Sequence, residues 1–185
     1  MKFLLISGNP KKEGLCRSVM ESVLQGAADG GAQTETLSTD GLGRCRCCGE
    51  GWGVCRESRV CAFGGDGFTA AQALVRDADL LCLATPVYWG EMAEGLKSFL
   101  DRLRRCEFGQ NGALRGKPVL LAASPGGTGN GMLTCLEQMD RFCRHTGVEI
   151  FDYIGINRWN SDYKRAAAYA AAKALAEGRR PGESV

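Results

Sequence analysis

Residues 1–16 read MKFLLISGNPKKEGLC, and the interpretation of the whole chain begins from this stretch. A short apolar run at residues 3–6 ends in a polar loop, and helical spacing of apolar residues begins at Leu15, so the order predicts a strand, a loop and a helix. Such a loop offers unpaired backbone N–H groups beside the positive end of the helix dipole, and Lys11 and Lys12 add two charges. The stretch favours a phosphate-ester site, although an ordinary βα turn has the same pattern.

The rest of the chain continues the alternation of strands and helices. Further strands are predicted at residues 33–37, 78–84, 117–123 and 148–156, separated by helical patterns at 68–76, 91–105, 132–143 and 162–177. This alternation predicts an α/β fold, a doubly wound three-layer sandwich around a five-stranded parallel sheet. We expect one domain over residues 1–178, with a cysteine-rich loop inserted at 40–67 and a disordered tail at 179–185.

Composition excludes several classes of protein. The chain has 185 residues, enough for one domain, and its net charge of +2 is too small to argue for a nucleic-acid partner. Basic clusters at residues 102–105 and 179–180 have no interleaved aromatics, so we predict solvated surface for both. No apolar stretch approaches the ~20 residues of a membrane span, and no cleavage site follows the first apolar run. We therefore expect a cytoplasmic protein with no membrane partner.

Cysteine usage is unusual. Half of the ten cysteines crowd into one short segment, and these five are Cys45, Cys47, Cys48, Cys55 and Cys61. In a reducing compartment, such a cluster indicates metal or redox chemistry more than a disulfide framework. The scattered remainder are predicted to be small core residues: Cys16, Cys82, Cys106, Cys135 and Cys143.

Three loops of unusual composition follow predicted strands, at residues 7–14, 85–90 and 124–131. Ligands of open parallel sheets bind outside the carboxyl ends of the strands, where these loops lie. The first suits a phosphate, and the other two supply backbone N–H groups and flat apolar walls. A phosphorylated planar cofactor would satisfy all three, whereas the simpler alternative is that every α/β protein has loops at this edge.

The segments GNPKKEGLC, TPVYWGEMAEGLKSFLDRL and ASPGGTGNG, taken in this order, resemble a known family. They are similar to the NAD(P)H-dependent FMN reductases and iron–sulfur flavoproteins of the flavodoxin-like superfamily, over roughly residues 2–160. The second segment is the most specific of the three. The resemblance implies a flavodoxin-like strand order of 2-1-3-4-5 and a tightly held FMN.

The resemblance also implies which residues contact FMN. Its phosphate would lie on Ser7, Gly8, Asn9, Lys12, Gly14, Leu15 and Cys16. Its ring would contact Pro86, Val87, Tyr88 and Trp89 on one side, and Ser124, Gly126, Gly127 and Thr128 on the other. Similar proteins more often carry Ser or Thr at the positions of Asn9 and Cys16, and a thiol is a weak donor. Phosphate binding here would therefore depend more on backbone N–H groups and on Lys12.

The cysteine loop is similar to the loop that carries the cysteines of iron–sulfur flavoproteins. That similarity implies Cys45, Cys48, Cys55 and Cys61 as ligands of an iron–sulfur cluster, preferred over zinc because an electron relay suits a flavin. The spacing departs from the family, because six residues separate the second and third of these cysteines, and Cys47 is an additional candidate. Two alternatives stay open: a metal-free loop that covers the flavin or a partner subunit, and a redox-active pair of Cys45 and Cys48.

These inferences predict an FMN-dependent oxidoreductase that passes hydride from NAD(P)H to a flavin, quinone or similar small acceptor. The first alternative is an iron–sulfur flavoprotein that carries electrons between protein partners, and the second is a metal-stapled binding module with a vestigial flavin site. No catalytic side chain is required, because the flavin supplies the chemistry. His145 is interpreted as a helix-end residue, and Arg158 and Trp159 as substrate contacts or plain surface. We expect a homodimer or homotetramer, because the exposed aromatics and the long insertion need cover.

Overall fold

The computed structural model describes residues 1–109 and 111–182. Six strands form one sheet: β1 (Lys2–Ser7), β2 (Gln33–Ser38), β3 (Leu80–Tyr88), β4 (Glu91–Met92), β5 (Pro118–Pro125) and β6 (Glu149–Gly155). Five of them are parallel in the order β2-β1-β3-β5-β6, and β4 pairs with β3 in the antiparallel direction. The predicted order 2-1-3-4-5 is therefore confirmed, with one short strand that the sequence did not indicate.

In the part of the chain that the structure describes, six helices accompany the sheet: α1 (Leu15–Asp29), α2 (Cys55–Ser58), α3 (Phe68–Asp77), α4 (Glu94–Glu107), α5 (Met132–Thr146) and α6 (Ser161–Ala176). A 3₁₀ turn at Gly64–Asp66 precedes α3. The loop predicted at 40–67 thus contains the single-turn helix α2 and this turn, which are too short to give a periodic signal. The assignment of residues 1–178 to one domain and 179–185 to a disordered tail stays a prediction, and residues 183–185 lie outside the described residues.

Two hydrophobic cores lie on opposite faces of the sheet. Successive strand residues point to opposite faces, so Phe3 and Leu5 belong to one core while Leu4 and Ile6 belong to the other. The first core is closed by α1 and α6, and the second by α3, α4 and α5. Central strands β3 and β5 are buried on both faces, as parallel strands covered by helices must be. The sheet is therefore the middle layer of three, with helices packed on each of its faces.

Two element boundaries differ from the sequence prediction. Residues 85–88 continue β3 instead of forming a loop, because their backbone pairs with β5 as far as Pro125. The helix predicted from residue 91 begins at Glu94, since Glu91 and Met92 turn back to pair with the end of β3. The scattered cysteines are buried as predicted. In the described ranges, no helix is both long and apolar enough to cross a membrane.

Contact between α1 and α6 requires a glycine. A Cβ atom on Gly26 would lie 2.2 Å from the carbonyl oxygen of Tyr169 on α6. Atoms cannot approach so closely, so the two helix backbones reach their observed separation only because Gly26 has no side chain. The first core, which α1 and α6 close together, depends on this approach.

We expect Gly26→Ala to destabilise the protein by about 2 kcal/mol, because the steric cost of overpacking exceeds the ~1 kcal/mol that alanine contributes to helix propensity. Gly65→Ala is the matched control, since a Cβ there meets no atom within 4 Å. Urea unfolding of both variants measures the difference. Equal stability of the two variants would contradict the packing argument.

Candidate functional site

The carboxyl ends of three adjacent strands define one edge of the sheet. β1 ends at Ser7, opposite Ala84 of β3, and Pro125 at the end of β5 lies opposite Val87. The loops that follow β1, β3 and β5 therefore begin side by side, as the sequence predicts. Because β3 runs four residues beyond its pairing with Ser7, its end forms a wall beside the first loop.

The first loop is ordered by its own polar groups. The buried Ser7 Oγ accepts a hydrogen bond from the backbone N–H of Asn9 at 3.1 Å. The Asn9 side chain donates to the carbonyl oxygen of Lys11 at 2.8 Å and accepts from its N–H at 3.2 Å. Asn9 thus closes an Asx-type turn within the loop, and its amide is already engaged there.

Beyond this turn the backbone donors are free. The N–H groups of residues 12–16 donate no hydrogen bond to another residue of the described ranges. Gly14 precedes α1 with φ +100° and supplies no side-chain cap, so the first turn of the helix keeps its unsatisfied donors. Lys12 is exposed next to them. This is an electropositive cradle of the kind that binds a phosphate group.

Cys16 points inward from the first turn of α1. Its sulfur accepts a hydrogen bond from the Ser124 hydroxyl, and burial raises the pKa of the thiol to about 11. The thiol is therefore neutral at physiological pH, and it links α1 to the end of β5. The structure places Cys16 at this edge, but its side chain is engaged by Ser124.

The end of β3 is a tight hairpin. Tyr88 pairs with Glu91, and the two intervening residues, Trp89 and Gly90, have φ of +53° and +84°. Two successive residues with positive φ are typical of a type I′ turn, which fits the twist of antiparallel strands. The Trp89 side chain is fully exposed. A Trp-Gly pair after an apolar run was the signal for this hairpin, and the sequence prediction missed it.

The third loop packs against this hairpin through glycine. A Cβ atom on Gly131 would lie 2.3 Å from the Cα of Gly90, and the Thr134 hydroxyl donates to the Gly90 carbonyl at 2.8 Å. Side chains added at Gly126 or Gly127 would meet no atom within 4 Å, so both residues border open space. Glycine is thus needed at Gly131 for close approach and is favoured at Gly90 by its φ of +84°, and it leaves room at Gly126 and Gly127.

The edge brings together the residues that the sequence assigned to one site. They lie on the three adjacent loops or on the strand ends that precede them: Ser7, Gly8, Asn9, Lys12, Gly14, Leu15, Cys16, Pro86, Val87, Tyr88, Trp89, Ser124, Gly126, Gly127 and Thr128. Sequence reasoning missed Thr134, which fixes the hairpin from α5, and Met92, which is buried beneath it. Met92 lies in β4 and Thr134 binds the turn before it, so both were missed because the sequence prediction did not include this strand.

The cysteine-rich loop lies against α4. Cys48 and Cys61 lie near enough to Cys55 to raise the pKa of its thiol, and the Cys106 thiol of α4 donates a hydrogen bond to Cys55. Burial raises the pKa of Cys55 and raises that of Cys106 to about 12, so both are protonated thiols at neutral pH. Within the described ranges, no three Cys, His, Asp or Glu side chains are arranged to hold a metal ion. The thiols as positioned therefore do not form a preassembled ligand set.

Arg102 holds this loop in place. Its guanidinium donates to Asp66 at 2.8 and 3.2 Å, to the carbonyls of Gly43 and Phe63, and to the Cys61 sulfur at 3.4 Å. It also lies 4.1 Å from the ring centroid of Phe68. The prediction that residues 102–105 form solvated surface is wrong for Arg102, whose side chain is 2% exposed. Helical periodicity places it on the core side of α4, where the loop covers it.

A family model described as "NADPH-dependent FMN reductase" matches residues 1–176. The chain belongs to this family.

Similar proteins agree with this assignment. An iron-sulfur flavoprotein of Methanosarcina thermophila is 35% identical over 136 residues, a match that covers 71% of this chain and 66% of that relative, so the chain spans just under two thirds of the relative's length. Among solved structures, an NADH:FMN oxidoreductase has a TM-score of 0.70 at 20% identity, covering 97% of this chain and 91% of that one. A flavodoxin from the domain Archaea has a TM-score of 0.64 at 13% identity, covering 96% and 97%. The two structures confirm the flavodoxin-like fold predicted from the sequence.

In this member of the FMN reductase family, we expect the Arg102–Asp66 ion pair to stabilise the folded protein. Asp66→Asn should lower the free energy of unfolding at pH 7 by about 1–2 kcal/mol, because it leaves a buried guanidinium without its counter-charge. Asp101→Asn is the matched control, since Asp101 pairs with Lys97 on the exposed face of the same helix and should cost under about 0.5 kcal/mol.

The same ion pair determines in which direction the free energy of unfolding changes with pH. Its hydrogen bond to Arg102 holds the pKa of Asp66 below its usual value. The stabilisation is therefore present above the ordinary aspartate pKa and is lost as the pH falls through the lowered value. Urea unfolding at neutral and strongly acidic pH should show the Asp66→Asn deficit shrinking in acid, and a deficit that does not change with pH would contradict this assignment.

Proposed function

We propose that this protein is an FMN-dependent oxidoreductase that passes hydride from NAD(P)H to a flavin, quinone or similar small acceptor. The observation that carries the proposal is the convergence of an electropositive first loop and two glycine-containing loops at one sheet edge. Membership of the FMN reductase family supports FMN as the cofactor. The choice between NADH and NADPH, and the acceptor, are part of the proposal.

The phosphate of FMN would be held by the first loop. The unpartnered N–H groups of residues 12–16 and the Lys12 ammonium are the donors available to it. Ser7 is buried, and its hydroxyl accepts from Asn9, so it supports the loop from below. Since the side chains of Asn9 and Cys16 are engaged elsewhere, we infer that backbone donors and Lys12 provide most of the phosphate affinity.

The ring of FMN would lie between the second and third loops. Pro86, Val87, Tyr88 and Trp89 would provide the apolar wall on one side. On the other side, the N–H groups of residues 126–128 donate no hydrogen bond within the described chain and border open space. Donors of this kind stabilise negative charge that develops on a bound ring.

When bound, FMN supplies the redox chemistry, accepting hydride from a nicotinamide and delivering electrons to the acceptor. The chain's own residues position the ring, exclude water from one face and offer N–H donors to it. This division of roles requires no titratable side chain at the edge.

Anaerobic titration of FMN-loaded protein with NADPH or NADH tests the proposal. We expect the yellow absorbance to bleach promptly with one of the two nucleotides and to return when a quinone or free flavin is added. Protein that stays colourless after expression with ample riboflavin, and does not quench the fluorescence of added FMN, would overturn it.

Lys12→Ala should weaken FMN binding by about tenfold or more, because it removes a charged contact to the phosphate. Lys173→Ala is the matched control, since Lys173 lies at the far end of α6 beside Glu177. Fluorescence titration measures both dissociation constants. Unchanged affinity in Lys12→Ala would remove Lys12 from the site without affecting the rest of the proposal.

A second candidate is an electron carrier between protein partners with an iron–sulfur cluster on Cys45, Cys48, Cys55 and Cys61. It is favoured by the relative from Methanosarcina thermophila, which is described as an iron-sulfur flavoprotein. The thiols would have to rearrange to bind a cluster, because they do not form a ligand set as they stand. Anaerobic reconstitution with iron and sulfide distinguishes the candidates. Brown colour with acid-labile sulfide supports the electron carrier. If neither signal appears, the reductase is the remaining candidate.

We also infer a homodimer or homotetramer. Trp89 is fully exposed and Tyr88 is 41% exposed at the edge where the substrates would enter. Large apolar side chains so exposed are typical of contact surfaces. Size-exclusion chromatography with light scattering should give a mass of at least twice the 19.8 kDa of one chain. A monomer at micromolar concentration would contradict this inference.

A further inference from the structure

A cavity of about 620 Å³ lies where the cysteine-rich loop meets the last turns of α4 and α5. Its volume falls in the range of small-molecule sites, roughly 300–1,000 Å³. The side chains that surround it are aromatic or cationic: Trp52, Arg56, Arg104, Arg105, Phe108 and His145. The cavity thus combines flat apolar surfaces with positive charge.

The arginines of this cavity form no ion pair with a carboxylate of the described residues. Within the described ranges, no carboxylate lies at ion-pair distance from Arg56, Arg104 or Arg105, although Glu50 also borders the cavity. Arg105 donates to the carbonyl of Gly51 at 2.6 Å. Other arginines of the chain do have carboxylate partners: Arg17, Arg76, Arg102, Arg141 and Arg144. The three arginines of the cavity therefore keep their positive charge close together without an ion pair in the described ranges.

The ends of two helices reduce this charge only in part. The last turns of α4 and α5 each bring about half a negative elementary charge from their dipoles. Three guanidinium groups outweigh both dipoles and the one glutamate. The electrostatic preference of the cavity is thus for an anion.

Aromatic rings line the same cavity. The Arg56 guanidinium lies 5.3 Å from the Trp52 ring centroid and 5.7 Å from that of Phe108. The Phe108 and His145 rings are 6.0 Å apart. Trp52 is 70% exposed, so most of its ring is available to another planar group. A simple inorganic anion would use the guanidinium groups and leave these rings without a role.

The cavity is separate from the edge that would hold FMN. Helices α4 and α5 run antiparallel to the strands, so their last turns lead back to the amino ends of β5 and β6. The three loops of the candidate flavin site follow the carboxyl ends of the strands. The two places therefore lie toward opposite ends of the sheet.

We propose that this cavity is a second binding site, for a planar aromatic anion of the nucleoside monophosphate type. The base stacks on Trp52, and the phosphate is bound by Arg104 and Arg105, with Arg56 between ring and phosphate. The site does not depend on the proposed flavin function, since it shares no residue with the three loops.

Isothermal titration calorimetry with three probes tests the proposal. Adenosine 5′-monophosphate carries both ring and phosphate, adenosine lacks the phosphate, and ribose 5-phosphate lacks the ring. We expect the first to bind most tightly. The double variant Arg56→Gln/Arg104→Gln should weaken its binding by about tenfold or more, whereas Arg17→Gln/Arg141→Gln, with the same loss of charge on exposed helix faces, should leave it unchanged.

Trp52→Ala should weaken binding of adenosine 5′-monophosphate by about fivefold or more while leaving ribose 5-phosphate unaffected, and Trp52→Phe should retain part of the stacking. Circular dichroism confirms that each variant is folded. The proposal is overturned if the three probes bind alike, if the two double-arginine variants behave alike, or if Lys12→Ala alone weakens binding, which would place the nucleotide in the first loop.

Discussion

The parallel pairing of β1, β3 and β5 is the constraint on which the candidate site depends. Hydrogen bonding fixes the register, so that Ser7 lies opposite Ala84 and Pro125 opposite Val87. The loops after these strands must then start next to one another, whatever their sequence. Composition decides what they can do at that place: glycine at Gly90 and Gly131 allows two backbones to touch, and the uncapped start of α1 leaves donors for an anion.

A single buried cation determines where the cysteine-rich loop lies. Arg102 projects from α4 and is surrounded by Asp66, two loop carbonyls and the Cys61 sulfur. In the described ranges the loop supplies every acceptor of this guanidinium, whose buried Nε has no partner, so lifting the loop from α4 would leave a buried cation with no acceptors. This contact brings Cys55 next to Cys106 and carries Trp52 to the end of α4. The loop thus connects the thiol cluster to the arginine-lined cavity.

Positive charge has two different roles in this protein. Paired arginines such as Arg102 and Arg76 stabilise the fold, and the buried Glu107 accepts from Arg76 at 2.7 Å. Among the described residues, the cations without an ion pair include Lys11 and Lys12 beside α1 and the three arginines of the cavity. The first group adds to the positive end of a helix, while the second overcomes the negative ends of two helices. Both arrangements are suited to phosphate esters.

Local sequence patterns were sufficient for the parallel sheet and for three loops after its strands, because apolar runs and helical spacing are encoded by neighbouring residues. The strand order came from the family resemblance. The family resemblance added FMN and the residues around it. Only the tertiary structure decided that Asn9 and Cys16 are engaged by other residues and that Trp89 and Gly90 form a hairpin. It also decided that Arg102 is buried while Arg104 and Arg105 line a cavity. These outcomes depend on contacts between segments far apart in the chain, and no local pattern records which partner a side chain will meet.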